Sequence, residues 1–138
     1  MVSAAARQIR PGMASPGPRG KFPREARLLR HADFERVYKQ GRRHFAAHLT
    51  VFYLRRSEGS GIRIGFTVGR VLGGAVERNR IKRRLREAVR LHWRQIAAPF
   101  DVVINPKKPV LKLDFTELGA EVERALEVIG RFAEKGNG

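Results

Sequence analysis

Helical and strand periods alternate along the chain. HADFERVYKQG, from His31, carries Phe34, Val37 and Tyr38 at i, i+3 and i+4. Asp33 stands as an N-cap or first-turn acid and Gly41 as the stop, so a short amphipathic helix is predicted. HLTVFYLRR, from His48, has the period of two of a strand. Thr50, Phe52 and Leu54 share one face, and Leu49, Val51 and Tyr53 the other. Both faces carry apolar or aromatic groups; one must meet the core, which leaves aromatic groups on the other. IRIGFTV gives a second strand, with Ile62, Ile64, Phe66 and Val68 opposed to Arg63, Gly65 and Thr67. The short SEGSG turn between them predicts an antiparallel pair.

GRVLGGAV reads as a glycine-punctuated loop into a long helix from about Ala75 to Ile96. DVVIN is a short buried strand, KKPVLKLD a loop, and Asp114 caps a last helix over residues 115–132. Leu118, Val122, Ala125, Leu126 and Ile129 lie at helical spacing there, and Glu117, Glu121 and Glu123 crowd the half where the helix dipole favours acids. The order helix, strands, helix, strand, helix predicts an α+β domain of layered or split βαβ type. Residues 1–24, rich in Pro, Gly, Ala and Arg, read as a disordered basic arm or as a mis-assigned start before Met13 or a later codon. Residues 25–134 form the single domain and 135–138 a flexible tail. With 42% apolar residues in 138, one core is within reach.

Charge sharpens the picture. The formal net charge is +16, and it is lopsided: residues 1–98 hold 23 bases against 6 acids, residues 99–138 only 6 against 7. Charge of this size opposes compaction, which points to an acidic partner. There is no cysteine, so disulfides, thiol nucleophiles and cysteine-based zinc sites are excluded. No run of about 18 apolar residues is present to span a membrane, and the N-terminus has no apolar core of signal-peptide length. A soluble cytoplasmic protein is expected.

The charge concentrates in RNRIKRRLREAVRLHWR, Arg78 to Arg94, with eight cations and one acid. At about 100° per residue, Ile81, Leu85, Ala88, Val89, His92 and Ile96 make a core stripe. Arg78, Lys82, Arg86 and Arg90 line its edge, and Arg80, Arg83, Arg84 and Arg94 cover the remaining arc. An ordinary solvated helix mixes signs, gaining about 0.2–0.5 kcal/mol per i, i+4 pair. Glu77 and Glu87 are too few for that. Arginine's planar fork matches phosphate oxygens, and arginine outnumbers lysine here seven to one. The partner predicted is nucleic acid. Asn79 is the only amide near the helix start, a weak set for reading a DNA major groove. Phe34, Tyr38 and Phe52 suit stacking of a single strand, although core packing would explain each of them singly. Protein-borne catalysis finds no support. His31, His44, His48 and His92 lack metal-ligand spacing, and no nucleophile elbow, phosphate loop or paired carboxylates occur.

RIGFTVGRVLGGAVERNRIKRRLRE resembles the signature of the protein subunit of bacterial ribonuclease P. DFERVYKQG, HLTVFYL and FDVVINPK resemble the family's N-terminal helix, central strand and later strand, so the likeness runs from about Arg27 to Phe132. The resemblance implies a two-layer α/β sandwich with a left-handed βαβ crossover, of a kind also found in a ribosomal protein domain. It implies an accessory role. A large RNA, with bound Mg2+ or another divalent cation, cleaves precursor tRNA to release the 5′ leader. On that basis Arg78, Asn79, Arg80, Lys82, Arg83 and Arg86, with Arg70 and Arg90, are expected at the RNA. Phe34, Tyr38 and Phe52 are expected in the leader cleft. The partners implied are the ribonuclease P RNA and precursor tRNA, with no membrane and no stable protein partner. A ribosomal or ribosome-assembly protein that binds rRNA is the alternative. Two positions depart from the family's pattern: Val71 follows Arg70 where a second base is usual, and Gly74 stands where Asn is usual. Both weaken the loop's expected contacts to RNA and to any nearby metal.

Overall fold

A strand buried along nearly its whole length belongs in the middle of a sheet, and FDVVINP, buried at six of its seven positions, takes that place. The computed structural model describes residues 26–28, 30–93 and 96–134; the arm 1–24, the tail 135–138 and Arg94 lie outside the described residues. In chain order the elements are α1 (His31–Gln40), β1 (Arg42–Phe45), β2 (Leu49–Arg55), β3 (Ile62–Phe66), α2 (Ala75–Arg90), β4 (Phe100–Pro106) and α3 (Phe115–Glu134). Three-residue-per-turn helices at Arg70–Leu72 and Lys108–Lys112 precede α2 and α3. The sheet order is β1-β2-β4-β3. β1 and β4 run antiparallel to β2, and β3 runs parallel to β4, so α2 is the crossover of a β3–α2–β4 unit.

Three expectations need correction. β2 and β3 are not a hydrogen-bonded pair, because β4 lies between them. The Ser57–Gly61 turn is longer than the two-residue loops that force neighbours together. It bonds instead to the segment entering β4, through Arg56 N–H to Pro99 O (2.7 Å) and Gly61 N–H to Ala97 O (2.6 Å). The second correction is β1, RRHF, a strand the periodicity did not reveal: four residues, three of them exposed, show no alternation to read. The third is the end of α2. It stops at Arg90, not Ile96, with Leu91 as its C-cap. With Ala97 already bonded to Gly61, a helix running to Ile96 would leave too little chain to reach β4. Ile96 still reaches the core, from the connection that follows α2.

Side-chain alternation divides the sheet into two faces. Leu49, Val51 and Tyr53, Ile62 and Ile64, and Phe100, Val102 and Ile104 face α2 and α3 and form the main core. α2 contributes Ile81, Leu85, Ala88 and Val89 of the predicted stripe, while His92 lies beyond its end and is only half-buried; α3 contributes Leu118, Val122, Ala125, Leu126 and Ile129. Each large apolar side chain among these, fully buried, contributes about 1.5–3 kcal/mol. α1 lies on the opposite face over a smaller cluster of Leu28, Val37 and Val103, with Phe34, Phe52 and Leu54 against it. Gly41 caps α1, its N–H donating to Val37 O at 2.9 Å. Asp33 is the first-turn acid. Asp114 accepts the Leu118 N–H at 2.9 Å through its main-chain carbonyl.

Candidate nucleic-acid interface

The α1 face is ruled into three rows by strand register. Arg63, Asp101 and Leu54 make the first; Gly65, Val103, Phe52 and Arg43 the second. Asn105, Thr50 and Phe45 make the third, continued on the other side by Thr67, which follows Phe66 and donates its N–H to Ile104 O at 3.1 Å. The rows differ in chemistry: charged, apolar, and polar with an aromatic end.

The charged row is an internal lock. Asp101 is fully buried and receives Arg63 through Nε and Nη2, each at 2.8 Å, Arg56 Nη1 at 3.0 Å and Arg36 Nη2 at 2.9 Å. Asp33 adds a second acid, 2.9 Å from Arg36 and 3.9 Å from Arg63. Burial pushes the Asp101 carboxyl up, but the hydrogen bonds and charges of Arg63 and Arg56 outweigh it and hold it below the usual carboxylate value. Its hydrogen bond in turn raises Arg63. Three of the chain's arginines are thereby tied within the fold. The signal was a lone acid in a mostly apolar strand, which periodicity alone does not interpret.

α1 roofs the apolar row. A Cβ at residue 65 would stand 2.4 Å from Phe34 Cζ, so only glycine lets the Phe34 ring lie on β3. Phe34 is therefore a half-buried wall rather than an open stacking surface. Tyr38 sets its ring edge-on to Phe52, centroids 4.9 Å apart, and donates its hydroxyl to Asn105 Oδ1 at 3.0 Å; the Tyr38 hydroxyl oxygen also lies 2.6 Å from Thr67 Oγ1. The two aromatic groups are thus fixed at the boundary between the roofed row and the open one. The three aromatic residues singled out in the sequence come together here. Thr67, Asn105, Arg43 and Phe45 join them and were missed, because register, not local pattern, brings them in.

α2 supplies the second half. Gly73, at φ +127°, turns the chain from the Arg70–Leu72 helix into the N-cap Gly74, a conformation open to glycine alone among ordinary residues. Arg70, Asn79, Arg80, Arg83 and Arg86 are exposed here, with Arg78 and Lys82 half-buried along the edge of the stripe. Two predicted cations behave differently. Arg84 turns back to the loop before α3, donating to Val110 O at 3.3 Å and to Leu113 O. Arg90 chelates Glu87 one turn back, and that hydrogen bond lowers the Glu87 carboxyl below its usual value. Among the described residues, Arg78, Arg80, Lys82, Arg83 and Arg86 form no ion pair. Val71 and Val76, 75% and 71% exposed, flank them. Glu121, expected as a dipole acid, is instead a buried anchor. It accepts the His48 N–H at 3.0 Å and contacts the His48 ring, tying the β1–β2 turn to α3.

An α+β sandwich with an unneutralised arginine helix and a half-covered aromatic sheet face is an RNA-binding protein. The family described as Ribonuclease P matches residues 22–130. The ribonuclease P protein component of Symbiobacterium thermophilum is 40% identical over 110 residues, covering 80% of this chain and 96% of that protein. The solved RNase P protein of Staphylococcus aureus superposes with TM-score 0.68 at 29% identity, over 75% of this chain and 94% of that one. That of Thermotoga maritima does so with TM-score 0.64 at 28% identity, over 76% and 96%. The chain belongs to the ribonuclease P protein family, and its role lies in tRNA processing.

Proposed function

We propose that the chain binds the catalytic RNA of ribonuclease P through α2 and the 5′ leader of precursor tRNA through the α1 face. It thereby assists removal of the leader by chemistry that resides on the RNA. The observation that carries this is the sorting of cations. Arg36, Arg56, Arg63, Arg84 and Arg90 are engaged within the fold, whereas Arg78, Arg80, Lys82, Arg83 and Arg86 on α2 meet no acid among the described residues. Five neighbouring cations of this kind await a polyanion; Asn79 and Arg70 lie beside them. Tyr38 and Phe52, with Phe34 behind, offer ring surface beside the amide of Asn105 and the hydroxyl of Thr67, a combination suited to unstacked bases.

Among the described residues, no group of three or more His, Cys, Asp or Glu is arranged for a metal ion. Glu87, the acid within the arginine run, is held by Arg90. This donor set does not fit a resident Mg2+, and the reading assigns the ion to the RNA. Among the described residues no helix is long and apolar enough to cross a membrane, and work on RNA at this surface belongs in the cytoplasm. Reconstitution tests the reading. Mixed with a bacterial ribonuclease P RNA at low magnesium, the chain is expected to accelerate 5′ cleavage of a precursor tRNA. Tight binding of ribosomal RNA with no such acceleration would overturn it.

A further inference from the structure

The third row does not stop at the cleft. It runs from Thr67 through Asn105 and Thr50 to Phe45 on the edge strand, and Phe45 is 66% exposed. An exposed phenylalanine on a sheet edge invites unwanted association, and nothing in the core calls for this one. Its surroundings are specific. Arg43, two residues earlier and on the same face, holds its guanidinium 5.7 Å from the Phe45 ring centroid and 5.9 Å from that of Phe52. One cation thus links the inner aromatic pair, Tyr38 and Phe52, to the outer ring. Lys107 brings its Nζ to the Ala46 carbonyl at 2.8 Å, next to Phe45 in the chain. The buried acid of this face, Asp101, lies two rows away and is already surrounded by arginines. The edge is therefore cationic and aromatic together, continuous with the cleft, and open.

We propose that Phe45 and Arg43 form an outer subsite, where a base of single-stranded RNA stacks on Phe45 while Arg43 meets the adjoining phosphate. The subsite takes a nucleotide of the same strand that occupies the Tyr38–Phe52 cleft, farther along it, and so rests on the leader-binding reading above. The chemistry is base–aromatic stacking with a cation at the backbone, tolerant of sequence because every base has a π-face.

The test uses the full chain assembled with its catalytic RNA and precursor tRNAs whose leaders lengthen one nucleotide at a time, with the dissociation constant read for each. Phe45→Ala is expected to weaken binding about tenfold, but only beyond a threshold length, and at a greater length than the one at which Phe52→Ala first matters. Phe45→Trp keeps the stacking surface and is expected to bind long leaders as tightly as the parent chain. A Phe52→Ala effect with no Phe45→Ala effect at any length removes the outer subsite and leaves the cleft standing. Indifference to both substitutions removes the cleft reading and the subsite with it. A Phe45→Ala loss that is equal for all lengths, leaderless tRNA included, or that Phe45→Trp reproduces, also overturns the proposal.

Discussion

The same strands build two opposite surfaces. Toward α2 and α3, β2 and β4 present Leu49, Val51, Tyr53, Phe100, Val102 and Ile104, all buried under two helices. Toward α1 they present Thr50, Phe52, Leu54, Asp101, Val103 and Asn105, under one ten-residue helix that leaves part of the sheet uncovered. The difference lies less in composition than in cover, since both faces hold aromatic rings. On the closed face, Tyr53, Phe100 and Phe132 pack tilted or edge-on at 5.7–6.2 Å between centroids and serve only stability. On the open face, Tyr38 and Phe52 pack as closely yet keep one side toward solvent. An aromatic residue in a strand stays open to a partner when the helix above it is too short to finish covering it.

The largest test of that division is Phe100→Ala. The ring, at the start of β4 on the closed face, is completely buried, so truncation is expected to lower stability by about 4 kcal/mol through lost transfer energy and the cavity left behind. Urea unfolding reads the loss. RNA affinity of the fraction that remains folded should not change; a selective loss of affinity would mean the two faces are not independent.

Asp101→Asn acts on the open face but on its interior. It leaves Arg36, Arg56 and Arg63 around an uncharged amide, and breaking a buried pair of this kind lowers stability by about 3 kcal/mol. The pH dependence gives the sign. Asp101 has a folded-state pKa below its unfolded value of about 3.9. Its stabilisation is therefore complete above that value and is lost as pH falls through the folded pKa. The urea midpoints of parent and variant should differ most near neutrality and converge in strong acid. A constant gap down to strong acid would show that the carboxylate's charge is not what holds the three arginines.

Much of this was legible beforehand, and the gaps share one cause. The stripe Ile81, Leu85, Ala88, Val89 is local, as is the alternation of β2, and both stand as the periodicity predicts. Whatever depends on who pairs with whom was not local. The place of β4 between β2 and β3 needs register, and so do the three rows on the α1 face. β1 is too short and exposed to signal itself. The charge run from Arg78 to Arg94 and its helical wheel pointed to the cationic helix but could not show that Arg84 and Arg90 are engaged inside the fold. A helical wheel gives the direction of a side chain and says nothing of a carbonyl waiting at Val110. Phe34 was grouped with Tyr38 and Phe52 on residue type and on the family likeness; neither could show how closely its ring packs on Gly65.

The smallest effect expected at fixed salt is also the one that best separates the two proposed binding surfaces. Arg78 and Arg86 lie two turns apart on α2, neither forms an ion pair among the described residues, and Arg86 is exposed. If each meets one phosphate, binding releases about 0.7–0.9 counterion per contact. Arg78→Ala with Arg86→Ala should then reduce the slope of log affinity against log salt by about 1.4–1.8, and the penalty should shrink as salt rises. Phe52→Ala removes stacking and no charge, so it should lower affinity by a similar factor at every salt concentration and leave the slope alone. Titrations of the catalytic RNA and of a leader-bearing tRNA across a salt series read both. An unchanged slope in the double-arginine variant would take α2 off the RNA. A changed slope in Phe52→Ala would mean that the aromatic face works chiefly by holding Arg43 in place, since that guanidinium is the cation against its ring.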